Sequence, residues 1–138
     1  MKVNFFKSRH SVSPDERPKD VFYYLDRIQN GKQEKIIKKL RAEIDPIKKA
    51  SIKGTLPAVT FCGTFTSRKK ENLKEGSGLA ILDFDHLESS IEFRNSLKSN
   101  DYVFSAWISP GGEGVKALVK IPVIKDDAEY KLIFKQLV

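Results

Sequence analysis

Apolar positions along this chain change spacing several times, and each change marks an element. Val3 to Lys7 reads as a short first strand. Ser8 to Lys19 carries two prolines and many polar residues, so it is expected to be a loop or flexible arm. Asp20 is a good helix N-cap, and Val21, Tyr24, Leu25 and Ile28 after it share one helical face. Asn30-Gly31 ends that helix. A second helix is expected from about Lys32 to Ile44, with Ile36, Ile37, Leu40 and Ile44 inward. Asp45-Pro46 reads as an N-cap and first helical position, opening a short third helix through Lys49 and Ala50.

Strand-like runs dominate the remainder. Gly54 to Pro57 reads as a turn and Ala58 to Thr66 as a strand, with Gly63 marking a bulge or a close backbone approach. Ser67 to Ser77 is polar and reads as a loop, with a helical turn at Glu71 to Leu73. A strand then runs into Asp83 and Asp85. Ser89 or Ser90 caps a helix carrying Ile91, Phe93 and Leu97. Tyr102 to Ser109 and Val115 to Ile121 are strands, and Asp126 to Val138 is a final helix. In that helix Asp126 and Glu129 resemble a capping box, while Tyr130, Ile133, Phe134 and Leu137 line one face. Strands and helices mix without strict alternation, so an α+β fold is expected, with a mostly antiparallel sheet preceded by a helical segment.

The length of 138 residues fits a single domain, with residues 1–54 basic and mainly helical and 55–138 forming the sheet part. Charge sharpens that division. Through Gly54, Lys and Arg number fourteen against seven Asp and Glu; from Thr55 onward the counts are eleven and eleven. The whole excess of +7 therefore lies in the first part, where Lys35, Lys38, Lys39 and Arg41 occupy the outer face of the second helix. Such a segment suits nucleic acid, although a solvated lysine-rich helix has the same composition. One cysteine, Cys62, excludes an internal disulfide and a cysteine-based zinc site, in keeping with a cytoplasmic setting. No opening signal peptide or membrane-length apolar run is evident.

The run Gly78-Leu79-Ala80-Ile81-Leu82-Asp83-Phe84-Asp85 carries the candidate chemistry. Alternation along a strand points Asp83 and Asp85 to one side. Two close carboxylates repel unless a cation lies between them, and Mg2+ or Mn2+ is the natural choice for oxygen donors, although a strand ending in a polar turn with both Asp solvated reads the same. Downstream, Ser109-Pro110-Gly111-Gly112-Glu113-Gly114-Val115-Lys116 forms a glycine-rich hairpin tip. The hydroxyl of Ser109, the amides of Gly111, Gly112 and Gly114, and the Lys116 cation suit a phosphate. Turn geometry alone would also call for those glycines. His86 could join as a metal ligand, but a lone histidine beside a turn is more often solvated. Arg68, Lys69 and Lys70 form a small basic loop that could reach nucleic acid or nucleotide, although a solvated loop is the default. Trp107 and Phe104 could stack on a base or pack in the core. A nucleophilic role for Cys62 is not expected.

The strand Leu82-Asp83-Phe84-Asp85, the hairpin, and Phe61-Cys62-Gly63-Thr64-Phe65 with Arg68 together resemble the VirE N-terminal domain family, related to the archaeo-eukaryotic primase superfamily. The resemblance spans roughly Ala58 to Ile121. It implies an RRM-like sheet packed with helices and a primase/polymerase-like nucleotidyltransferase of mobile-element replication. Asp83 and Asp85 would be catalytic metal ligands, and Ser109, Gly114 and Lys116 would contact a nucleoside triphosphate. Arg68 and the helical cations would meet DNA. A third carboxylate and a helicase segment would lie past Val138, making this a C-terminally incomplete domain. Lys116 stands where that superfamily usually has histidine. The alternative is a non-catalytic DNA- or RNA-binding module on the same fold. A haloacid-dehalogenase-type phosphatase also begins with Asp-x-Asp, but Leu87 and the hairpin disagree with it.

Overall fold

The computed structural model describes residues 1–137. It is a mixed α+β fold with five α-helices and three small antiparallel sheets. Strand β1 (Lys2–Phe6) lies between β2 (Lys19–Asp20) and β3 (Ala58–Thr60). Helices α1 (Val21–Gln29), α2 (Glu34–Ala42) and α3 (Pro46–Gly54) fill the interval between β2 and β3. Strands β4 (Gly63–Phe65) and β5 (Leu73–Gly76) form a two-stranded ribbon. The third sheet has the order β6-β8-β7, from β6 (Leu79–Phe84), β7 (Val103–Ile108) and β8 (Val115–Lys120). Helix α4 (Ser90–Ser96) connects β6 to β7, and α5 (Asp127–Leu137) follows β8.

The expected caps form. The Asp20 carboxylate accepts from the Phe22 amide at 3.1 Å, and that of Asp45 from Ile47 at 2.9 Å. Ser89 caps α4 by accepting from Glu92, and Asp126 accepts from Glu129 at 2.8 Å. Glu129 reaches back one residue further than a simple capping box, to the Lys125 amide at 3.0 Å. Val138, the last residue of the expected final helix, lies outside the described residues.

Three local expectations are corrected. The second helix stops at Ala42, and Ile44 is 89% exposed rather than inward. Its amide and that of Asp45 instead donate to the Glu43 carboxylate at 3.1 Å, and Pro46 disfavours helical geometry in the residue before it. The run Ala58–Thr66 is two strands serving different sheets, broken at Phe61-Cys62 and held by the Thr60 hydroxyl donating to the Gly63 carbonyl at 3.0 Å. The polar loop after Ser67 contains β5, an apolar-poor strand without an alternating pattern. The expectation at Gly63 holds. The β4–β5 register shifts beside it, and a side chain there would meet the Glu75 carbonyl.

The core joins the first sheet to the third. Val3, Val21, Tyr24, Phe61, Leu79 and Leu118 are buried together, with Ile81, Phe104 and Trp107 packed against them. Each such side chain contributes roughly 1.5–3 kcal/mol of hydrophobic stabilisation when fully buried. Buried Asn4 ties β1 to the ribbon by accepting from the Phe65 amide at 2.5 Å. The other face of the third sheet is covered from α4, where Phe93 meets Phe84 with ring centroids 4.8 Å apart.

Candidate functional site

The β6–β8 register sets Asp83 directly opposite Lys116 and Phe84 opposite Val115; the β7–β8 register sets Trp107 opposite Lys116. Directly opposed residues project on the same face of a sheet. Asp83, Lys116 and Trp107 therefore form one row across three strands. The Lys116 ammonium donates to Asp83 Oδ1 at 2.7 Å, with the two side chains 30% and 52% exposed. Trp107 is turned into the core, its ring 5.5 Å from that of Phe61, and Phe104 packs 5.5 Å from Phe22. Core packing, rather than base stacking, is where these two aromatics go.

Asp85 falls just past the end of β6. A side-chain carbon added at Gly114 would lie 2.6 Å from the Phe84 carbonyl, 3.1 Å from Ser109 Oγ and 3.2 Å from Asp85 Oδ1. Asp85, Ser109 and Gly114 thus converge where the strand meets the hairpin, and only glycine admits that approach. The chain then turns through His86 at φ 55°, a left-handed conformation uncommon for a non-glycine residue. The two sequence constellations, far apart in the chain, are brought together here.

The hairpin tip is held from several sides. The Ser109 amide donates to the Gly114 carbonyl at 2.9 Å, and the Gly112 amide donates to the Ser109 carbonyl at 2.9 Å. The Gly114 amide donates to the Ser109 hydroxyl at 3.2 Å. The amides of Gly112 and Gly114 are thus engaged within the loop. Gly112 needs its glycine for φ 87°, whereas Gly111 faces open space. From outside, Arg41 on α2 donates to the Pro110 and Ser109 carbonyls at 3.1 and 3.2 Å. Ser90 donates to the Gly112 carbonyl at 2.8 Å, and the Leu87 amide to Glu113 at 2.9 Å. Arg41 is accordingly a clamp on the hairpin, a role that its place in a run of cations does not signal.

The other expected basic residues divide. Lys35, Lys38 and Lys39 are exposed on α2, with Lys38 paired to Glu34 at 2.9 Å. Lys38 lies three residues before Arg41, on the face that reaches the hairpin. Arg68 points elsewhere: it donates to the Arg9 carbonyl at 2.7 Å and lies over the Phe6 ring, fastening the N-terminal arm. Among the described residues, no three His, Cys, Asp or Glu side chains gather to hold a metal. Asp83 and Asp85 offer two carboxylates at most, which suits Mg2+ only if phosphate and water complete its shell.

Comparison with protein-family models matches residues 51–136 to the BT4734-like, N-terminal domain family, more than half of the chain. The chain belongs to that family. The match corrects the resemblance to the VirE N-terminal domain and primase families. A carboxylate pair at a strand end and a glycine-rich hairpin are short features that antiparallel sheets reach by geometry, so their order alone did not specify a family. No curated protein and no solved structure matches the chain. Among the described residues, no helix is long and apolar enough to cross a membrane.

Proposed function

We propose that this domain binds a nucleoside triphosphate as its divalent-metal complex at the end of β6, in the service of nucleotidyl transfer on nucleic acid. The observation that supports it is the cross-strand pairing of Asp83 with Lys116, beside Asp85 and the Ser109–Gly114 hairpin. Lys116 cancels the charge of Asp83. A triphosphate would offer Lys116 a stronger anion, and Asp83 and Asp85 are the residues that would then hold Mg2+ or Mn2+. The metal would supply charge neutralisation along the phosphates. The chain's own residues hold Asp83 in register and keep the hairpin closed through Arg41 and Ser90.

An RRM-like reading of the third sheet accompanies this proposal. It is supported by the order β6-β8-β7, with α4 between the first two strands in sequence and α5 after the third. That is the first five elements of a β-α-β-β-α-β arrangement. A second reading, a non-catalytic nucleic-acid-binding module in the cytoplasm, is favoured by the lack of a third metal-ligating group among the described residues and by the exposed α2 cations.

Titration calorimetry with Mn2+ and ATP decides between them. Mn2+-dependent ATP binding is expected, weakened about tenfold or more by Asp83→Asn, which corresponds to about 1.4 kcal/mol. Lys116→Met should weaken ATP binding with or without metal. ATP binding that ignores both metal and Asp83, beside salt-dependent binding of single-stranded DNA, would leave only the second reading.

A further inference from the structure

A cavity of about 270 Å³ opens between the β4–β5 ribbon and the start of α5, away from the acidic strand end. Phe65, Leu73, Ile124 and Tyr130 form its apolar surface, with Cys62 beside them. Burial pushes the Cys62 thiol and the Tyr130 phenol up from their ordinary values. Lys69 and Lys70 stand at its rim, both exposed and outside every ion pair among the described residues. Their neighbour Arg68 is held by the Ser8 and Arg9 carbonyls, which fixes where the basic loop sits. Asp127 adds one acceptor at the wall, tied on its other side to Lys131 at 2.9 Å.

The geometry points to a second binding site, for one nucleotide unit of single-stranded nucleic acid. The base enters against Phe65 and Tyr130, its ring or exocyclic N–H groups donate to Asp127, and its phosphate meets Lys69 and Lys70. Size supports a single base: ligand pockets run from roughly 300 Å³ upward, and this one falls just below. Aromatic surface with adjacent cations is the chemistry that holds unpaired bases without sequence preference. Asp127 argues against the other occupant of an apolar pocket with a basic rim, a fatty acid. Its acyl chain offers no donor to the carboxylate oxygen that Lys131 does not hold. The inference goes beyond the reading of the β6 end and does not require it.

Cys62 is the chain's one thiol, so its alkylation reports occupancy of the cavity. The experiment measures the rate of N-ethylmaleimide reaction on the intact chain with AMP, inorganic phosphate, laurate, or a single-stranded hexanucleotide. AMP and the hexanucleotide should slow alkylation at least fivefold, and phosphate should not. The double variant K69A/K70A, altered only at exposed positions, should need about tenfold more AMP for the same protection. Asp83→Asn should leave protection unchanged, which separates this site from the hairpin end. No protection by AMP, equal protection in K69A/K70A, or protection by laurate alone would overturn the proposal.

Discussion

The acidic end of β6 and the cavity under the β4–β5 ribbon are built on opposite physics. At the strand end the groups are charged, half-exposed and already matched: Lys116 holds Asp83 at 2.7 Å. Such a pair contributes roughly 0–1 kcal/mol to stability, because water competes for both partners. What the sheet supplies there is position. At the ribbon the wall is apolar and Lys69 and Lys70 lack acidic partners among the described residues. On the binding site proposed there, the shape of the wall would select the ligand and unpaired charge would supply the attraction. The contrast teaches that a cation in the basic segment need not be free for a ligand. The α2 cations include Arg41, whose guanidinium serves the hairpin backbone instead.

The largest test removes what both regions lean on. Phe61 is 6% exposed, packs on Trp107 behind the Asp83–Lys116 row, and precedes Cys62 at the cavity. Phe61→Ala should cost roughly 3–5 kcal/mol in denaturant unfolding and loosen both regions together. A loss below 1 kcal/mol would mean that they are supported separately.

A smaller pair of substitutions should separate them. A side chain at Gly114 would press on the Phe84 carbonyl at 2.6 Å, and one at Gly76 on the Ile124 carbonyl at 2.6 Å. Gly114→Ala and Gly76→Ala should each cost roughly 1–3 kcal/mol. The first should alter metal and nucleotide binding at the hairpin, and the second the reactivity of Cys62. Gly111→Ala, with nothing within 4 Å, should change stability by less than about 0.5 kcal/mol. Equal effects at Gly111 and Gly114 would remove the close approach from the account.

The smallest test is a control that belongs to neither region. Tyr24 donates to the Glu16 carboxylate at 2.6 Å, and this bond is the main reason why the pKa of Glu16 lies below its ordinary 4.5. A depressed carboxylate stabilises the fold fully above pH 4.5, and that contribution fades as pH falls through the lower folded value. Tyr24→Phe should therefore cost about 1 kcal/mol at pH 7, a gap that narrows towards pH 3. A gap independent of pH would assign the loss to packing.

Much of the fold was legible because its signals are local. Asp20, Asp45, Ser89 and Asp126 cap the helices expected of them, and the acidic strand and glycine hairpin lie close to their expected limits. The pairing of the two constellations was legible only as an expectation, since nothing in either run names its cross-strand partner. Strand β5 was hidden because Leu73–Gly76 pairs along the ribbon while showing no apolar rhythm. The cavity was hidden for a related reason. Its wall combines Thr60 to Leu73 with Ile124 to Tyr130, two segments that meet only when α5 returns to the ribbon.

By itself the sequence determined the starts of the four side-chain-capped helices, the glycine-dependent turns, the concentration of positive charge before Thr55, and the presence of two carboxylates at a strand end. These follow from side chains acting on their own backbone or from plain counting. Only the tertiary structure decided that Asp83 faces Lys116, that Arg41 clamps the hairpin, that Trp107 turns inward, and that a cavity lies beneath the basic loop. Each of these depends on strand register or on packing between segments distant in the chain, where a one-residue slip would send every side chain to the other face.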